Sequence, residues 1–280
     1  HISALTLLMT LAADTVRQRN IDGAGMVAMG GTMGLVGAAI SLGVATGAPL
    51  GGWLGRDDAE RVILYGALLM LALLPLAWWL LHERAVQVMH HSLTALLRSL
   101  PQNRALLLPY GFAFVDRLTV GVIASTLSLY LSSEIGMDSA RIGVVMALFL
   151  LPFSLLSWPA GLLCQRWNPL LMMFGGSVAY GLTLVSVGWV DAGMIPWLMF
   201  IGGVVASLMY APSLVLVANL SGSEHKALAM SGFNFAGSLG FVLGPLLGGV
   251  LVSLFVLLEL PAYPLTLALV GSLELLCVLL

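Results

Sequence analysis

Gly240-Phe241-Val242-Leu243-Gly244-Pro245-Leu246-Leu247-Gly248-Gly249 lies inside an apolar run from Ser231 to Leu258. That run exceeds the ~20 residues needed to cross a hydrocarbon core. A matching stretch lies upstream, Gly43-Val44-Ala45-Thr46-Gly47-Ala48-Pro49-Leu50-Gly51-Gly52. One constant offset carries Gly43, Gly47, Gly51 and Gly52 onto Gly240, Gly244, Gly248 and Gly249, and only the proline slips by a place, Pro49 against Pro245. Such an offset reads as a duplicated half-protein. Glycines at four-residue spacing remove side chains from one helix face, so another backbone can approach closely. The proline leaves a carbonyl without its usual partner and bends the helix.

The composition agrees with a membrane setting. The chain has 280 residues, 60% hydrophobic and 9% charged, against about a quarter charged in soluble domains, and its mean hydropathy is +1.03. An all-α polytopic membrane protein is expected, with the lipid bilayer as its first partner. The net charge of -2 gives no reason to expect a nucleic-acid partner. Cys164 and Cys277 have no metal-ligand spacing, so no disulfide framework, metal site or cofactor is expected. His90 and His91 are neighbours whose side chains diverge on a helix. No histidine falls within a span, no H-x-x-x-H pair occurs and no Walker loop is present, so neither a membrane enzyme nor ATP-driven transport is expected.

The apolar runs are Met26 to Leu54, Val62 to Leu81, Leu106 to Leu131, Ile142 to Leu163, Pro169 to Val190, Ile195 to Leu220, Ser231 to Leu258 and Tyr263 to Leu280. Ile2 to Ala13 reads as the tail of a further span, and the chain is expected to be a piece truncated at both ends. The segment His82 to Arg104 is the longest polar interruption and is amphipathic through Val86, Met89, Leu93, Leu96, Leu97 and Leu100. It is expected to lie on the membrane face between two bundles.

Lys and Arg favour the cytoplasmic side. Placing 82–104 there puts Arg17, Arg19, Arg84, Arg98, Arg104, Arg166 and Lys226 in the cytoplasm and leaves Arg56, Arg61 and Arg141 outside. The loops 14–25, 82–104, 164–168 and 221–230 are therefore expected to be cytoplasmic, in a multi-pass protein of the cell (inner or plasma) membrane.

Six spans after a long cytoplasmic linker, with a half-to-half repeat, resemble the major facilitator superfamily of secondary transporters. Gly34, Gly43, Gly47, Ala48, Gly51 and Gly52 resemble its fifth-helix antiporter motif, with the proline displaced to Pro49; in the downstream copy Ser231 replaces the first glycine. Gly161-Leu162-Leu163-Cys164-Gln165-Arg166 resembles the basic loop between the eighth and ninth helices, with Gln165 where an acid is expected. The resemblance implies pseudo-symmetric helical bundles: an incomplete N-terminal bundle over 1–81, a linker over 82–104 and a six-helix C-terminal bundle over 105–280. It also implies a small-molecule substrate, proton coupling and a monomer.

Asp116 and Arg117 fall about ten residues into a span, roughly 15 Å deep, where a charge costs on the order of 3 kcal/mol. Three roles are open. Asp116 is a proton-coupling carboxylate, Arg117 is the counter-charge for an anionic substrate, or the two belong to a structural ion pair that includes Glu274. At helical spacing Asp116, Thr119, Thr126 and Tyr130 share one stripe, and Arg117, Ser125 and Ser128 the next. Tyr130, Tyr210 (followed by Pro212), Asn234 and Glu274 are further candidates for proton coupling or substrate contact, and Asn234 with Ser231 and Ser238 is expected to hydrogen-bond between helices. The expected function is proton-coupled efflux by alternating access; the alternatives are a proton-coupled importer and a non-transporting membrane sensor or scaffold.

Overall fold

The computed structural model describes residues 42–55, 59–80, 104–221 and 226–279. The elements among them are α1 (42–54), α2 (Ala59–Leu80), α3 (Arg104–Ser133), α4 (Ser139–Leu163), α5 (Pro169–Val187), α6 (Ile195–Leu220), α7 (Lys226–Leu257) and α8 (Ala262–Cys277). Helices α3 to α7 are long and apolar enough to cross a membrane, and α8 is a shorter apolar helix of 16 residues. The expected spans from Val62 onward each fall on one of these helices. Ile2 to Ala13, the loop 14–25, Gly34 and the linker up to residue 103 lie outside the described residues.

Local chemistry sets the ends. Asp138 caps α4 by accepting from the Arg141 N–H at 2.8 Å, and Asn168 caps α5 by accepting from the Leu170 N–H at 2.9 Å, with Pro169 in the first turn. At the end of α7 the N–H of Glu259 returns to Val256 and that of Leu260 to Phe255. Glu259 thus closes the helix at φ 55°, where glycine is usual, and Pro261 prevents continuation.

Two expectations are corrected. The loop 221–230 is shorter than its polar residues suggest, because α7 already begins at Lys226. Ala227 to Met230 are good helix formers, Leu228, Ala229 and Met230 are buried, and the Tyr110 hydroxyl donates to the Ala229 carbonyl at 2.8 Å. The stripe joining Asp116 to Tyr130 is also broken. Ile123–Leu127 forms a π-helical turn within α3, and the extra residue rotates the later part of the helix by about 100°. Thr126 therefore meets Gly248 of α7, while Tyr130 packs at a tilt on Tyr263 of α8 with ring centres 5.6 Å apart.

Helix α3 packs chiefly on α7, α4 and α5 both pack on α6, and α5 also packs on α8. Phe112, Met173, Tyr180, Met209 and Leu214 are fully buried between them. The opposite face of α7, with Val242, Leu246 and Val250, is exposed and suited to lipid. The glycine groove makes the α3–α7 contact. A Cβ on Gly240 would overlap the Phe114 carbonyl oxygen, and one on Gly244 would lie 2.5 Å from the Leu118 carbonyl oxygen. One on Gly121 would lie 2.9 Å from the Phe241 carbonyl oxygen. The upstream copy behaves differently. Gly43 and Gly47 meet nothing within 4 Å, whereas Gly52 abuts Ser139 at the start of α4 and its carbonyl accepts from the Ser139 hydroxyl at 3.1 Å. Gly143 of α4 in turn abuts Ala48 and Pro49.

Gly249 faces open space, which supplies an internal control. Gly244→Val should lower stability by about 1–3 kcal/mol or more through overpacking, and Gly249→Val should change it by no more than about 0.5 kcal/mol. Thermal unfolding of the two variants in detergent, followed by size-exclusion chromatography, measures the difference.

Candidate functional site

Asp116 lies twelve residues into α3, about 18 Å along its axis from Arg104, and is 8% exposed. Its backbone carbonyl accepts from the Thr119 hydroxyl at 2.7 Å, and Thr119 is itself fully buried. Next to it, Arg117 Nε stands 3.8 Å from Asp116 Oδ2. This is a loose ion pair within one helix, longer than a hydrogen bond. The Arg117 side chain is 31% exposed and that of Asp116 12%.

Arg117 crosses to a second helix by another route. Its guanidinium carbon lies 4.6 Å from the centre of the Tyr210 ring in α6, a cation–π contact. Gly237 of α7 leaves room for the stem, since a Cβ there would come within 3.1 Å of Arg117 Cγ. Tyr210 in turn packs on Phe153 and Phe233, at ring separations of 5.6 and 6.5 Å. Phe153 continues to Phe149, and Phe149 to Tyr180. An aromatic path thus runs from the partly exposed arginine to a fully buried tyrosine on α5.

The far end of this path lies on α5, which packs on the helix carrying the second acid. Glu274 on α8 is fully buried and accepts through Oε1 from the Ser177 hydroxyl of α5 at 2.6 Å. Glycines force these two helices together: a Cβ on Gly181 would lie 2.9 Å from the Gly271 carbonyl oxygen, and one on Gly271 would lie 2.7 Å from that of Gly181. Helix α3, which carries Asp116, also packs on α8, which carries Glu274. Among the described residues Arg117 pairs with Asp116 and not with Glu274. The bond that joins its helix to α5 comes from a serine.

Of the residues expected from sequence, Asp116, Arg117, Tyr210 and Glu274 come together in the interior formed by α3, α5, α6 and α8. Asn234 is buried on α7, whereas Tyr130 stands apart against Tyr263. Gly161 is buried near the end of α4, and Arg166 is exposed in the turn to α5, away from the acids. Ser177, Tyr180, Gly181 and Gly237 complete the site without having been singled out. Ser177 and Tyr180 share a helix face by their three-residue spacing, but that pair gains meaning only once Glu274 is known to face it.

The sequence profile of the Major Facilitator Superfamily matches residues 109–280, from the first turns of α3 through α8. An uncharacterized MFS-type transporter of Methanocaldococcus jannaschii is 25% identical over 150 residues, covering 51% of this chain and 37% of that protein. The match therefore spans well under two thirds of that relative's length.

The Arg117–Tyr210 contact should be worth about 0.5–2 kcal/mol. A double-mutant cycle of Arg117→Gln and Tyr210→Leu, read by thermal unfolding, should return a coupling of that size, and Tyr210→Phe should retain most of it because the ring remains. A coupling near zero would show that the two side chains are adjacent without attraction.

Proposed function

The chain belongs to the major facilitator superfamily, and on that premise we propose that it carries the C-terminal bundle of a proton-coupled secondary transporter exporting a small molecule. In this reading residues 1–81 belong to the N-terminal bundle, 82–104 to the cytoplasmic linker and 105–280 to the C-terminal bundle. The protein works as a monomer in the cell membrane. Alternating access proceeds by rocking of one bundle against the other. The close approach of Gly52 to Ser139, and of Pro49 to Gly143, supplies a contact without intervening side chains that can part and re-form.

The observation that carries the reading is Asp116. A carboxyl 8% exposed near mid-span is expensive to retain in a membrane unless it has a task. Its charge is only loosely balanced by Arg117 at 3.8 Å, so gain or loss of a proton alters a pair that Tyr210 also shares. Export is supported by the resemblance of the Gly34 to Gly52 stretch to the antiporter motif.

Arg117 supports a second reading. Binding couplings are reciprocal, so the charge of the substrate fixes the sign of its linkage to the proton. A cation drawn to Asp116 competes with the proton, which gives exchange. An anion drawn to Arg117 binds better once Asp116 is neutral, which gives co-transport and import.

The decisive measurement is substrate flux in proteoliposomes under an imposed pH gradient. Asp116→Asn should lose gradient-driven accumulation by at least tenfold while downhill exchange persists. Unchanged accumulation in the variant would remove Asp116 as the coupling site, and the direction of flux against the gradient separates exporter from importer.

A further inference from the structure

Glu274 Oε2 is fully buried and lacks a hydrogen-bond partner among the described residues, and the equally buried Tyr180 hydroxyl makes no well-formed hydrogen bond, with only the Thr119 hydroxyl of α3 beside it. Buried polar groups are normally satisfied, and an orphaned one points to a strained contact, a proton or a bound water. These two belong to facing helices held at backbone contact by Gly181 and Gly271. Tyr180 lies one residue from Gly181 and three from Ser177, whose hydroxyl already holds the other Glu274 oxygen at 2.6 Å. The Tyr180 hydroxyl and Glu274 Oε2 are also chemically complementary, one O–H and one carboxyl oxygen. Leaving a full carboxylate charge there with a single serine donor would be costly, because one hydroxyl does not replace the water that a charge gives up on burial.

The charged and titratable neighbours are few. Helix α3 presents Asp116 and Arg117, α5 presents Tyr180, α7 presents none between residues 228 and 257, and α8 itself adds Cys277. Among the described residues Arg117 is the cation of this interior, and it is committed to Asp116 and to the Tyr210 ring. Across the helices Asp116 thus faces a second acid and not a base.

We propose that Glu274 is a second proton-binding site of this protein, sealed from the substrate path and joined to Asp116 by the Tyr180 hydroxyl and a bridging water. The proposal rests on the proton-coupled reading of Asp116. In the transfer, the carboxyl O–H of Asp116 gives its proton to the water, and the water gives one of its own to Glu274 Oε2. Tyr180 keeps its proton and orients the water by donating to it. One carboxyl becomes charged as the other becomes neutral, so the interior carries the same net charge before and after. Ser177 is a positioning residue that fixes the rotamer of Glu274.

The test is infrared difference spectroscopy of the full-length protein in liposomes during a pH step, which reads protonated carboxyls without any substrate. The wild type should show two carboxyl bands. Glu274→Gln should remove one band and leave that of Asp116, and Tyr180→Phe and Ser177→Ala should each shift the Glu274 band without removing it. These two milder variants cover the case in which Glu274→Gln fails to fold. A wild-type spectrum with a single band that survives Glu274→Gln would overturn the proposal, as would a Glu274 band unmoved by Tyr180→Phe. Gradient-driven flux measured on the same samples separates the failures. Loss of flux in Asp116→Asn with no Glu274 band sinks only the second site, whereas two bands with flux indifferent to Asp116→Asn sink the coupling role of Asp116.

Discussion

Where α7 crosses α3 the two backbones touch, and the Phe114 and Leu118 carbonyls fill the places that side chains on Gly240 and Gly244 would take. Inside a bilayer there is no water to drive helices together, so association depends on close van der Waals contact and on Cα–H to carbonyl approach. That contact fixes the rotation of α3 about its own axis. With its glycine-matched face against α7, α3 turns Asp116 inward and sends Arg117 along Gly237 toward α6. Gly181 and Gly271 do the same between α5 and α8, and Glu274 is pressed onto Ser177 as a result. Small residues thus set the positions of the charged ones, although they take no part in any chemistry.

The polar interior is graded in its contact with the outside. Arg117 is partly open, Asp116 nearly closed and Glu274 wholly closed. None of the three is locked by a strong partner. The ion pair is 3.8 Å long, the cation–π contact is modest, and Glu274 has one hydroxyl. Strong bidentate pairing would fix one protonation state and one geometry. Weak and shared partners leave the differences between states small.

The helix count of the C-terminal half was readable because apolar length is a direct consequence of bilayer thickness, and Ile195–Leu220 coincides at both ends with its apolar run. Gly240, Gly244 and Gly248 were readable as a groove because four-residue spacing defines a helix face. What the groove touches was not readable. The repeated stretches look alike, yet Gly244 packs on α3 while Gly52 meets α4, a difference that depends on the neighbouring helix and not on the motif. Asp116, Arg117 and Glu274 stood out as charges in apolar surroundings. Ser177 and Tyr180 did not, since hydroxyls are common in spans and become specific only through the groups that face them. The start of α7 was hidden because Ser221 to His225 is polar and concealed a helix that begins one residue later.

The π-helical turn at Ile123–Leu127 divides α3 into two lengths whose azimuths are set independently. A helix of uniform pitch has a single degree of rotational freedom: pointing Asp116 into the bundle would by itself dictate where every later residue looks. With one surplus residue in the middle, the first length can be indexed to Tyr180 of α5 and Glu274 of α8 while the second is indexed to Tyr263. The helix behaves as two keys on one shaft, each cut for its own lock.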